Sequence, residues 1–192
     1  MEKLTTYLKR HPYIKTAQAR TLGISPVELK RWCDKGSIHR LSRGYYGLET
    51  LSSMAPQIVA MIPQPCAMAG ISALIEYGYT NAIGHEVWVL VPEGLPPINR
   101  PGVCTMRQKN EHFKIGLVTM NTQWGPIKIT DREKSVLDAL RGKYLDIEEK
   151  LRVIKRWRLD PKGERSKFNE YSMKIKVPKS MRDWLMVLEA GA

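Results

Sequence analysis

Apolar positions in the first fifty residues recur at helical spacing and are interrupted by strong stop signals. Leu4, Tyr7 and Leu8 lie on one face of a helix over residues 2–10, which His11-Pro12 ends. Tyr13-Ile14-Lys15 reads as extended, and Thr16 is placed to cap a second helix over residues 17–22 that Gly23 closes. Ser25-Pro26 puts a capping residue before a proline at the first helical position, which predicts a third helix over residues 26–35 ending at Gly36. Two short extended runs, residues 37–41 and 45–48, flank Ser42-Arg43-Gly44, where the glycine supplies the backbone freedom of a hairpin turn. Three helices followed by a hairpin is the order of a winged helix-turn-helix.

Beyond residue 50 the pattern changes. Helices are predicted over residues 53–61 and 70–77, with a short strand at 66–68 between them. The run His-Glu-Val-Trp-Val-Leu-Val at 85–91 is rich in β-branched and aromatic residues and predicts a strand. A loop rich in proline and glycine follows over 92–101, then strands over 103–108, 113–119 and 126–129. Thr130 and Glu133 have capping-box spacing and open a helix running through Leu140, with Val136, Leu137 and Leu140 on one side. Residues 147–157 are amphipathic: Ile147, Leu151, Ile154 and Arg158 mark one stripe edge, with Val153 and Trp157 beside it. A break at 159–163 precedes a last helix over 179–188. The expected fold is α+β: a winged helix on residues 1–50, then a mixed domain on 51–192 with a small sheet and C-terminal helices.

Charge sharpens this picture. The 192 residues carry 31 Lys+Arg against 19 Asp+Glu, a formal net charge of +12, which favours a polyanionic partner. Half of the excess lies in the first quarter: residues 1–50 hold ten basic and four acidic side chains, whereas residues 51–130 hold five and four. A basic head on a nearly neutral body suits DNA binding. The uncharged stretch 50–75 is broken by Pro56, Pro63 and Pro65, so it does not supply the roughly twenty successive apolar residues of a membrane span. The N-terminus does not read as a signal peptide, which points to the cytoplasm. Cys33, Cys66 and Cys104 are odd in number and far apart, so reduced, mostly buried thiols are expected rather than a disulfide framework or zinc site.

On a helical wheel the third helix turns Leu29, Trp32 and Cys33 inward and Val27, Arg31 and Asp34 outward, flanked by Lys30 and Lys35. Such a helix docks by one face and enters the major groove by the other. Arg31 can donate a bidentate pair to guanine, and Val27 can meet a thymine methyl. The hairpin carries Arg40 at its shoulder and Arg43 at its tip, where an arginine can enter a narrow minor groove. Tyr45 and Tyr46 alternate across the returning strand, so one packs inward and the other can reach a phosphate; Tyr45 is the phosphate candidate.

Catalytic chemistry finds little support. His11, His39, His85 and His112 lack metal-ligand spacing, and no G-x-S-x-G, P-loop or G-x-G-x-x-G occurs. Neither a catalytic residue, a metal nor a cofactor is therefore expected. The acid-x-Lys pair Glu148–Lys150 superficially matches metal-dependent nucleases, but it sits on a predicted helix. The charged cluster Asp131-Arg132-Glu133-Lys134 is explained by helix capping. Two other classes stay open: a ligand-sensing regulator with a pocket in residues 51–130, and a DNA nuclease using Glu148.

The runs Thr16-Ala17-Gln18-Ala19, Leu22-Gly23-Ile24-Ser25, Gly36-Ser37-Ile38-His39-Arg40 and Arg43-Gly44-Tyr45-Tyr46-Gly47-Leu48 resemble the N-terminal domain of AbiEi antitoxins. Gly70-Ile71-Ser72-Ala73-Leu74, Tyr77-Gly78, the strand 87–91 and the stretch 127–140 are similar to later parts of that family. The resemblance covers roughly residues 10 to 145, and the Arg-Gly-x-Tyr hairpin is its most specific element. It implies a type IV toxin–antitoxin system. The winged helix would bind inverted repeats in the protein's own promoter as a repressor. The C-terminal domain would serve the antitoxin role against a nucleotidyltransferase-like toxin, without catalytic residues. By position, the implied DNA contacts are Ser25, Lys30, Arg31, Arg40 and Arg43. Whether the protein binds DNA as a dimer or as cooperative monomers stays open.

Overall fold

The computed structural model describes residues 1–11, 13–49, 54–82, 86–100 and 102–175. The first unit holds three helices, α1 (Glu2–Leu8), α2 (Thr16–Thr21) and α3 (Pro26–Asp34). With them is a three-stranded antiparallel sheet of β1 (Ile14–Lys15), β2 (His39–Ser42) and β3 (Tyr45–Gly47) in the order β1-β3-β2. This is the element order of a winged helix. Leu4, Leu8, Ile14, Ala19, Ile24, Leu29, Trp32 and Ile38 form a separate buried cluster, joined by half-buried Tyr46 and Leu48. Each large aliphatic side chain so buried contributes about 1.5–3 kcal/mol.

Local chemistry explains the helix ends, with one correction. Ser25 caps α3: its Oγ accepts the Glu28 N–H at 3.2 Å while the Glu28 carboxylate accepts the Ser25 N–H at 2.8 Å. Gly36, at φ 68°, takes the left-handed conformation that turns the chain out of α3. Thr16, expected as the cap of α2, is instead the first helical residue, with Lys15 in the cap position. The Thr16 hydroxyl is used elsewhere: it and the Thr16 N–H both donate to the Gly44 carbonyl, at 3.2 and 2.9 Å. That pair of bonds ties the hairpin turn to α2.

The second unit is built on a five-stranded mixed sheet in the order β6-β5-β4-β8-β7. Its strands are β4 (Ala67–Met68), β5 (Val87–Pro92), β6 (Val103–Gln108), β7 (Leu117–Thr122) and β8 (Gly125–Thr130). Met68, Val87, Val89, Ile127 and Ile129 pack with Ala55, Ile58 and Val59 of α4 (Ala55–Ala60). A second cluster unites α5 (Gly70–Glu76), α7 (Arg132–Arg141), α8 (Ile147–Leu159) and α9 (Arg165–Lys174) through Leu74, Val136, Leu137, Leu140, Val153, Ile154, Trp157 and Phe168. Half-buried Leu41 of the hairpin packs against the α4 cluster, so the wing touches the second unit.

Several expectations for this unit shift. Phe113 ends a short helix, α6 (Asn110–Phe113), rather than starting a strand. Gly116, at φ 65°, breaks the chain there, and β7 runs three residues further than expected, to Thr122. Asp131, not Thr130, caps α7, its Oδ1 accepting the Lys134 N–H at 2.9 Å. Thr130 is the last residue of β8, and its hydroxyl pairs with Ser135 Oγ at 2.7 Å. On α8 the buried face is Val153, Ile154 and Trp157, whereas Ile147 is 64 % exposed, because the α7 and α9 side of the helix decides which stripe is covered. Helix α9 was not anticipated. Its only buried residue is Phe168, too weak a periodicity to announce a helix. The helix expected over 179–188 lies outside the described residues, as do Pro12, Ser53 and His85.

Candidate nucleic-acid interface

Helix α3 presents two chemically distinct faces. Leu29 is fully buried and Trp32 nearly so, with Cys33 half-buried beside them. Val27 is 76 % exposed, and Lys30, Arg31, Asp34 and Lys35 are exposed as well. An apolar side chain this open on a helix start leaves most of its surface to solvent. Ser25 is also exposed, but its hydroxyl and its N–H both engage Glu28. It therefore acts first by fixing the start of α3. These bonds, the Ser25 N–H first and then its hydroxyl, hold the Glu28 carboxyl below its ordinary value.

The wing places Arg40 and Arg43 in solvent, one on β2 and one in the turn. Gly44 sits at φ 80° in that turn, a conformation open to glycine. Tyr46 pairs with Arg40 and Ile14 across the sheet and packs on the first core, which leaves Tyr45 as the outer of the two tyrosines. Tyr45 lies edge-on to Tyr13 with ring centroids 5.2 Å apart. Sequence reasoning missed Lys15. Pairing of β1 with β3 sets Lys15 opposite Tyr45, its Nζ 5.6 Å from the ring centroid, and adds an exposed cation to the wing. Only the pairing of strands about thirty residues apart reveals it.

The other charged runs are structural. Lys134 is wholly buried; its Nζ donates to Asp138 Oδ2 at 2.6 Å and to Gln108 Oε1 at 2.7 Å, while Gln108 Nε2 donates to Asp138 Oδ1 at 2.9 Å. Burial lowers the Lys134 pKa against the pull of Asp138. Asp131 accepts from Tyr171 Oη at 2.9 Å and pairs with Lys167 at 3.0 Å, and Glu133 accepts from Trp157 Nε1 at 3.2 Å and the Glu164 N–H at 2.8 Å. The Lys162 N–H, then Tyr79 and Arg132, overcome some desolvation and hold Asp160 down to about 2. The run beginning at Asp131 thus clamps α7 to β6, α8 and α9.

Of the acid-x-Lys pair, Lys150 is taken up by packing and Glu148 is not. Lys150 Nζ donates to the Leu140 carbonyl at 3.2 Å, closing the end of α7. Glu148 is exposed and lines an open groove of about 540 Å³ on α8 with Leu151, Arg152, Lys155, Arg156 and Leu159. Among the described residues, no group of three or more His, Cys, Asp and Glu side chains could hold a metal ion. His11 stacks on Tyr7 at 4.2 Å, His39 pairs with Gly47 in the wing, and His112 lies 3.7 Å from Glu111. The three cysteines are free and half-buried, less covered than expected, and desolvation raises Cys66 to about 11. No helix among the described residues is long and apolar enough to cross a membrane.

Residues 2–48 match the family model of the AbiEi antitoxin transcriptional regulators. The matched segment ends just past β3 and contains all of the candidate interface residues. A search of curated proteins finds no match to the chain.

Proposed function

We propose that this protein is a sequence-specific repressor of its own operon, binding double-stranded DNA through α3 and the wing. The observation that carries the reading is the exposed face of α3: Val27, Lys30, Arg31 and Lys35 stand in solvent opposite the docked Leu29 and Trp32. In this reading α3 enters the major groove, with Arg31 and Val27 toward base edges and Lys30 and Lys35 toward phosphates. Arg40, Arg43, Tyr45 and Lys15 bring the wing onto the adjacent backbone or minor groove. Ser25 holds the N-terminus of α3 in place and offers its hydroxyl at the rim.

The regulator–antitoxin description of residues 2–48 supports the further step that the protein is the antitoxin of a type IV system. Its operator would contain inverted repeats, and its toxin would be nucleotidyltransferase-like. Residues 1–50 would be the reading head and residues 51–192 the regulatory and antitoxin unit. It would act in the cytoplasm with neither catalysis nor a cofactor.

The test is fluorescence anisotropy of the protein with its own upstream DNA and with a scrambled duplex at two salt concentrations. The expected result is a salt-dependent preference for the upstream DNA. Arg31→Ala should lose about 1–3 kcal/mol of that preference. Arg43→Ala should weaken both duplexes more evenly and lower the salt slope by about one unit. Equal, weak binding of the wild type to both duplexes would refute specific recognition.

A further inference from the structure

The Gly44 carbonyl in the wing turn accepts two bonds from one residue. Thr16, half-buried and the first residue of α2, donates its N–H at 2.9 Å and its hydroxyl at 3.2 Å. The N–H bond carries the β1–β3 pairing one step past Lys15 and Tyr45 onto the turn. It takes nothing from α2, because the first N–H groups of a helix have no acceptor within it. The hydroxyl bond has no counterpart in a strand ladder, and pairing alone does not require a threonine here.

The two sides of the turn are held unequally. Tyr45, just after Gly44, is fixed by its pairing with Lys15, by the Lys15 Nζ 5.6 Å from its ring centroid and by the edge-on ring of Tyr13 at 5.2 Å. On the side of Arg43, just before Gly44, the register of β2 on β3 shifts between Arg40 and Ser42, and Arg43 itself is exposed. Gly44 stands between them at φ 80°. Two bonds to its carbonyl set the plane of the Gly44–Tyr45 peptide, and the rigidity of that peptide passes the constraint to both neighbours.

We propose that Thr16 is a positioning residue for the wing: its hydroxyl fixes the Gly44–Tyr45 peptide against α2 and so presents Arg43 and Tyr45 to the DNA backbone in one arrangement. This role rests on the reading of α3 and the wing as the DNA-binding surface. Thr16 touches no DNA in it, since both of its donors are turned to Gly44. A turn already held where it binds loses less freedom on binding, and affinity rises accordingly. Thr16→Val keeps the branched shape and the N–H bond and loses only the hydroxyl, whereas Thr16→Ser keeps the hydroxyl.

Two measurements on the full chain test this. Without DNA, amide exchange over residues 42–46 should be faster in Thr16→Val than in wild type and close to wild type in Thr16→Ser. With the upstream duplex, Thr16→Val should bind roughly three- to tenfold more weakly, the worth of one neutral hydrogen bond, and Thr16→Ser should recover the affinity. Adding Arg43→Ala to Thr16→Val should lose less than Arg43→Ala loses in wild type, because the wing no longer holds Arg43 in place. A merely structural role would leave the two losses additive. Unchanged exchange or full affinity in Thr16→Val, or additive losses, would overturn the proposal. A wild type that binds upstream and scrambled duplexes equally would refute the DNA reading and this role with it, and an exchange difference would then mark the two bonds as structural alone.

Discussion

Replacing Asp138 by Ala removes the carboxylate on which a wholly buried ammonium depends. Asp138 is 3 % exposed, and Lys134 loses its 2.6 Å partner while keeping only the neutral Gln108 oxygen at 2.7 Å. Breaking a buried ion pair from one side costs about 3–5 kcal/mol, because the remaining charge is left uncompensated. Two features place this site near the lower figure: Gln108 still accepts a bond, and burial already lowers the Lys134 pKa, so the lysine can shed its proton. For a chain of this size, about 3 kcal/mol corresponds to a fall of roughly 6–12 °C in Tm. Thermal and urea unfolding followed by circular dichroism at neutral pH provide the assay. A pH series adds a signature. Below its ordinary 10.5 but above its folded value, Lys134 holds fewer protons folded than unfolded, so stability rises with pH in that window. Without Asp138 the folded value falls further, so the variant gains more over that window and its deficit should shrink as pH rises toward 10. Lys134→Met combined with Asp138→Leu should recover most of the loss. A single Asp138→Ala variant within about 1 kcal/mol of wild type would refute the assignment of this pair as a structural clamp.

Three other outcomes follow from the same reasoning. Gly116→Ala should destabilise by about 1–3 kcal/mol from backbone strain alone; the new Cβ would also stand 2.6 Å from Lys134 Cβ, so an unchanged urea midpoint would be incompatible with this geometry. Asp160, held at about 2 against an ordinary 3.8, contributes stability that is present above 3.8 and lost as pH falls toward 2. Melts from pH 5 to 2 should show a shallower acid limb in Asp160→Asn, and parallel limbs would remove Asp160 from the clamp. Leu41→Ala should cost about 1–2 kcal/mol, less than a fully buried leucine. It should also speed amide exchange over residues 39–47, and exchange equal to wild type would mean that α4 does not steady the wing.

Much of the candidate interface was legible because its determinants are local. Ser25-Pro26 sets the start of α3, Gly36 its end, and a 3.6-residue period alone assigns Leu29 and Trp32 to one face and Val27 and Arg31 to the other. Gly44 announces the wing turn in the same way. What depended on distant partners was not legible. Lys15 reaches Tyr45 only through β1–β3 pairing, and the Thr16 hydroxyl leaves its capping role for a carbonyl twenty-eight positions away. Thr130 gives up the cap of α7 because β8 needs it as a strand residue. Lys134, which looks like surface charge in one dimension, is buried because β6 brings Gln108 against α7. Helix α9 is held by the bonds of Lys167 and Tyr171 to Asp131 rather than by its own periodicity. The sequence by itself determined caps, turns and helix faces, since these need only neighbours within a turn or two. The tertiary structure decided which charges are buried and which face of α8 is covered, since each needs an element brought from elsewhere in the chain.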